Sequence, residues 1–90
     1  MTAIDLSHRG VRSVTLRYWA GARAAAGVAE ETFEAGPRVG DVLDAAVGAH
    51  PGLAAVVAVC SVLVDGRAVG REAEVEPGTV IEVLPPFAGG

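Results

Sequence analysis

Val39-Gly40-Asp41-Val42-Leu43-Asp44-Ala45-Ala46-Val47-Gly48-Ala49 is the stretch on which the fold turns. Val39, Val42, Leu43, Ala46 and Val47 recur at i, i+3, i+4, i+7 and i+8, so one face of a helix is apolar. Asp41 falls in the first turn, where the helix dipole favours a carboxylate. Arg38, in the cap position, is a poor cap, so periodicity rather than capping marks the start. Gly36-Pro37 closes off whatever precedes the helix, and His50-Pro51-Gly52 stops it. Residues 53–58 then predict a further short turn, with Leu53 and either Val56 or Val57 packed beneath it.

On both sides of this helix the period changes from 3.6 to 2. Residues 12–19 read as a strand: Val14, Leu16 and Tyr18 alternate with Thr15, Arg17 and Trp19. Residues 30–35 resume the alternation, with Phe33 inward and Thr32 and Glu34 outward. Between them, residues 20–27 read as one helical turn or a loop, too Ala-rich for the core and closed by Gly27. After the helix, residues 60–64 form a third strand with Cys60, Val62 and Val64 on one face, followed by the Asp65-Gly66 turn signal. Residues 67–76 are polar, with short extended pieces near Ala68-Val69 and around residues 73–75. Pro77-Gly78 turns the chain into a last strand, in which Ile81 and Val83 face one side and Val80, Glu82 and Leu84 the other. Strands around one long helix predict an α+β fold with the helix on one face of a mixed sheet. With the first and last strands, the best β-formers, paired at the sheet centre, the arrangement is a β-grasp, the ubiquitin-like fold.

Ninety residues bound one domain and one modest core. Half the residues are apolar but aromatics are few, so Val, Leu, Ile and Ala must fill the interior. A net charge of −4 without a basic patch argues against nucleic acid as a partner. No apolar run is long enough to span a membrane, and residues 1–10 lack the apolar stretch of a secretory signal, so the cytoplasm is the expected compartment. Cys60 is the lone cysteine, which excludes an intrachain disulfide and a Cys-rich metal site; its alternation with Val62 and Val64 reads as a small buried apolar residue. His50 reads as a helix-end residue bonding the last carbonyls, and His8 as solvated. All seven basic side chains are arginine, so no side-chain amine is available to accept an acyl group.

Three parts emerge: an N-terminal extension over residues 1–11, the domain over 12–84, and a tail over 85–90. The tail, Pro85-Pro86-Phe87-Ala88-Gly89-Gly90, is unlike the rest. Two prolines favour an extended, stiff stalk, whereas two glycines make a thin end that enters a narrow slot. The last group is the carboxylate of Gly90, and the shape suggests delivery of that carboxylate into another protein's active site. Trp19 faces outward if Tyr18 faces the core, on the same sheet as the tail-bearing strand. With Leu84 and Phe87 it is a candidate docking patch, or the base of a second packing layer of loops.

These residues resemble the MoaD/ThiS family of β-grasp sulfur carriers, and within it most nearly the small subunit of molybdopterin synthase. The likeness runs through residues 12–90: Tyr18-Trp19-Ala20-Gly21-Ala22-Arg23 with Gly27, Val39-Gly40-Asp41-Val42-Leu43, His50-Pro51-Gly52-Leu53, Glu76-Pro77-Gly78, and the Pro-Pro-x-small-Gly-Gly ending. Phe87 stands where a smaller aliphatic residue is usual, Thr79-Val80 where an acidic pair is usual, and the N-terminal extension is uncommon. The resemblance implies that a MoeB-like adenylyltransferase, related to ubiquitin-activating enzymes, adenylates Gly90, with Gly89 leaving the approach open. Sulfur from a persulfide donor then displaces AMP to leave a thiocarboxylate. It further implies that Pro85, Pro86, Phe87, Ala88, Trp19 and Leu84 meet a MoaE-like large subunit, which uses the sulfur to build the dithiolene of molybdopterin. On this view no cofactor or metal is bound; the acyl-adenylate and thiocarboxylate are transient, and the chain is a non-catalytic subunit. The resemblance leaves open a carrier for cysteine or thiamine synthesis, and a ubiquitin-like modifier attached to lysines of other proteins. The diproline argues against the thiamine carrier.

Overall fold

The computed structural model describes residues 11–86. Within them the chain forms β1 (Arg12–Tyr18), α1 (Ala20–Ala26), β2 (Glu30–Ala35), α2 (Val39–Ala49), α3 (Leu53–Val57), β3 (Ser61–Val64), β4 (Arg67–Ala68) and β5 (Val80–Leu84). The five strands make one mixed sheet in the order β2-β1-β5-β3-β4. β1 and β5 run parallel at its centre, with Leu16 beside Ile81 and Tyr18 beside Val83, and both flanking pairs are antiparallel. The fold is α+β, the β-grasp expected from the alternation of periods.

The core lies between one face of the sheet and α2. Val14, Leu16 and Tyr18 of β1 and Ile81 and Val83 of β5 meet Val39, Val42, Leu43 and Ala46 of α2, all at most 2 % exposed. Each buried Val, Leu or Ile contributes about 1.5–3 kcal/mol of transfer free energy, which explains how a chain poor in aromatics stays folded. Leu53 of α3 is fully buried beneath the helix exit, as its position after Pro51-Gly52 predicted.

Tertiary contacts settle the α2 start that local capping leaves weak. Asp41 Oδ2 accepts the Arg38 N–H at 3.0 Å. The carbonyls of Ala73 and Arg71 accept the N–H groups of Val39 and Gly40 at 2.8 and 2.9 Å. The orphan donors of the first turn are therefore satisfied by a loop far along the chain. That loop lies so close that a Cβ on Gly40 would sit 3.1 Å from Arg71 Nη2 and 3.2 Å from the Arg71 Cβ, tighter than ordinary packing.

One expectation is corrected. Residues 20–27 are a seven-residue helix rather than a single turn or loop, and Ala22 and Ala26 belong to the core at 0 % and 7 % exposure. α1 packs on α3, and alanine's lack of bulk is what allows the close approach. Gly27 closes α1 at φ 80°, as predicted. The Asp65-Gly66 turn also forms, with φ of 53° and 78°, joining β3 to β4.

Candidate functional site

β5 is the strand from which the tail leaves, and β1 is its parallel neighbour, so both end at the same rim of the sheet. The Trp19 N–H donates to the Val83 carbonyl at 3.1 Å, extending the pairing one residue beyond β1. The chain then turns through Ala20, at φ 48°, into α1. Pro85 leaves β5 against the start of that helix, its Cγ 4.0 Å from where a Gly21 Cβ would stand. Pro85 is half-buried and Pro86 is exposed. The root of the tail is thus seated on α1.

The sheet face turned away from α2 is open. Its middle row crosses Glu30, Arg17, Glu82 and Leu63 on four neighbouring strands. Arg17 Nε lies 3.2 Å from Glu30 Oε1, and its Nη1 lies 4.0 Å from Glu82 Oε2. One row toward the tail come Trp19, Leu84 and Ser61, and one row away come Thr32, Thr15 and Val80, with the two threonine hydroxyls 2.9 Å apart. Trp19 is 44 % exposed and Val80 37 %. The structure therefore brings Trp19, Leu84, Pro85 and Pro86 together at one rim, beside a charged row with more acid than base. Phe87, Ala88, Gly89 and Gly90 lie outside the described residues.

On the opposite face of the same rim is a polar cluster the sequence reading missed. Glu31 is paired with Leu16 and so points inward. Its Oε2 accepts the Tyr18 hydroxyl at 2.7 Å and lies 2.6 Å from His50 Nε2. Burial first, and the Glu31 carboxylate second, push the Tyr18 phenol well above its ordinary value. The helix-end reading of His50 is corrected accordingly. Its backbone N–H does bond the Ala46 carbonyl at 2.8 Å, but its ring meets Glu31 instead of the last carbonyls. The signal was present: alternation through Phe33 places Glu31 inward, and an inward carboxylate requires partners.

Cys60 is packed against the core, and burial pushes its thiol up. It lines a shallow cavity of about 400 Å³ with Leu43, Val57, Val62, Val69 and Arg71. Arg71 Nη2 is held 2.8 Å from Asp44 Oδ1. Among the described residues no group of three His, Cys, Asp or Glu side chains converges on a metal site, and no helix is long and apolar enough to cross a membrane.

The model of the ThiS family matches residues 16–90. SAMP1 from Haloferax volcanii is 30 % identical over 87 % of this chain and 99 % of that one, with a TM-score of 0.76. The small archaeal modifier protein 1 of Methanosarcina acetivorans is 26 % identical over 89 % of this chain and 98 % of that one, with a TM-score of 0.79. A putative molybdopterin converting factor, subunit 1, from Pyrococcus furiosus is 30 % identical over 84 % of this chain and 99 % of that one, with a TM-score of 0.76. No curated protein matches the chain. A family match running from the middle of β1 to Gly90 on this β-grasp means that the chain belongs to the ThiS family, as a ubiquitin-fold sulfur carrier or small archaeal modifier.

Proposed function

We propose that the chain is the sulfur-carrying small subunit of a molybdopterin synthase. The observation that carries this reading is the Pro85-to-Gly90 ending directly after the central strand β5, within a family match that includes Gly90. A carboxylate is a poor electrophile, so an ATP-using, MoeB-like activating enzyme first converts Gly90 to an acyl-adenylate with release of pyrophosphate. The terminal sulfur of a persulfide then attacks the carbonyl carbon and AMP leaves, giving an acyl disulfide. A second thiol of the donor cleaves its S–S bond, so that the donor is left as a disulfide and the sulfur stays on Gly90. The resulting thiocarboxylate is the sulfur nucleophile donated to a pterin precursor in the active site of a MoaE-like large subunit, in the cytoplasm. Gly89 and Gly90 present no Cβ to obstruct either attack. Pro85 and Pro86 set the reach of the tail, and Phe87 and Ala88 fit the channel it enters. Trp19 and Leu84 form the apolar centre of the docking patch, with Arg17, Glu30 and Glu82 at its margin. The chain itself contributes the reacting group and the docking surface rather than an acid–base apparatus, and it holds no resident metal or cofactor.

The likeness to two SAMP1 structures favours a second reading, in which the same activated Gly90 ends as an amide on another protein. One experiment addresses both. The chain is incubated with ATP, an activating enzyme from the same source and a sulfur donor, then weighed intact. Replacement of one terminal oxygen by sulfur supports the carrier; transfer to lysines of other proteins supports the modifier. An unchanged mass with an enzyme shown to be active overturns both. Capture of a pterin-processing large subunit from extract then separates the molybdopterin pathway from cysteine synthesis.

A further inference from the structure

An activated acyl group is an electrophile, and its fate depends on the nucleophiles it meets, including those of its own chain. Primary amines are the acceptors that trap such a group as a stable amide. These 90 residues include no lysine; all seven basic side chains are arginine. A guanidinium remains protonated in proteins and offers no free nitrogen lone pair. We infer that the chain is a one-way acyl donor: it passes Gly90 to sulfur or to an amine of another protein, and its own side chains offer no amine that would trap the group as an amide. As a modifier it is then attached singly, never as a side-chain-linked polymer. The inference rests on the reading that Gly90 becomes activated, but its test does not need the activating enzyme.

The fold also withholds the phenol, imidazole and thiol of Tyr18, His50 and Cys60. Tyr18 is 2 % exposed and its hydroxyl is committed to Glu31 at 2.7 Å. His50 Nε2 lies 2.6 Å from the same carboxylate oxygen. Cys60 is packed against the core, where burial pushes the thiol away from its attacking thiolate form. A thioester formed on Cys60 meets no lysine to receive the acyl group, so that exchange stays reversible. The arginines, meanwhile, perform the ion pairing that lysine also performs elsewhere: Arg17 lies against Glu30 and Glu82, and Arg71 against Asp44. The surface therefore keeps its cations without offering an amine.

The chain is prepared with Gly90 as an alkyl thioester, its α-amine acetylated, and incubated at high concentration in mildly alkaline buffer. In productive transfer an amine nitrogen attacks the Gly90 carbonyl carbon and a C–N bond forms. The C–S bond breaks, the thiolate leaves with the electron pair, and the ammonium proton passes to water. Added free lysine should give the lysyl amide, which establishes that the thioester is competent. Without it, only hydrolysis is expected, with no side-chain-linked dimer in the mass spectrum. R67K, at an exposed site on β4, and V59K, at a site 62 % exposed, should each produce dimers and a higher ladder. Fragmentation should place the isopeptide at the substituted position. Side-chain-linked dimers of the unsubstituted protein, formed at the variants' rate, would overturn the inference. So would the absence of a ladder from both variants, folded by circular dichroism, while free lysine is acylated. Failure of ATP-dependent thiocarboxylation counts against the proposed function alone and leaves this result standing.

Discussion

Replacing Tyr18 by phenylalanine isolates the Tyr18–Glu31–His50 cluster, because it removes one hydroxyl from a side chain that is otherwise fully packed. The hydroxyl donates to Glu31 Oε2 at 2.7 Å. A hydrogen bond to a charged group is worth about 1.5–3 kcal/mol net. Glu31 keeps His50 at 2.6 Å in the variant and is not left without a partner, which places the loss toward the lower end, at about 1–2 kcal/mol. For a domain of this size each kcal/mol lowers Tm by about 4–8 °C. The pH dependence gives a sharper test. The folded phenol is raised above its unfolded value, so its contribution is complete below the unfolded pKa of about 10 and is lost as pH rises toward the folded one. Above that threshold the wild type should lose up to about 1.4 kcal/mol per pH unit through this one proton, and Tyr18→Phe should lack that component. Urea unfolding of both proteins from pH 7 to 11 measures it, and the Cys60 contribution cancels in the comparison. A loss at pH 7 below about 0.5 kcal/mol, or a wild-type slope retained by Tyr18→Phe above pH 10, would refute the reasoning.

Asp44→Ala should change stability by less than about 1 kcal/mol in urea unfolding, since its pair with Arg71 is exposed on both sides. Leu53→Ala, at a fully buried site, should cost about 2–5 kcal/mol, read as a lowered urea midpoint. Deleting Gly90 should abolish sulfur loading in the intact-mass assay while leaving the thermal transition unchanged; product formed by the truncated chain would count against the proposed chemistry. Trp19→Ala should weaken binding to the partner in calorimetry by about tenfold or more, with little effect on folding, if Trp19 is the docking anchor.

What the sequence determined by itself is what periodicity and turn chemistry encode locally. The i, i+3, i+4 stripe from Val39 gave α2 its observed bounds, alternation gave the inward residues of β1 and β5, and Asp65-Gly66 gave a turn of positive φ. The family likeness carried by the diproline and terminal glycines was legible for the same reason, since it depends on residue types at fixed spacing. Tertiary structure decided whatever depends on partners distant in the chain. Alanines at 22 and 26 carry too weak a hydrophobic signal to predict core, and only the approach of α3 buries them. The α2 start is capped by carbonyls of Arg71 and Ala73, more than thirty positions away, which no local cap rule anticipates. Glu31 and His50 meet because a strand and a helix end converge on Tyr18. Likewise, the seating of Pro85 on α1 beside an exposed Trp19 arises from the parallel pairing of the first and last strands. Pairing between chain ends is a long-range contact, so no local pattern of residues specifies it.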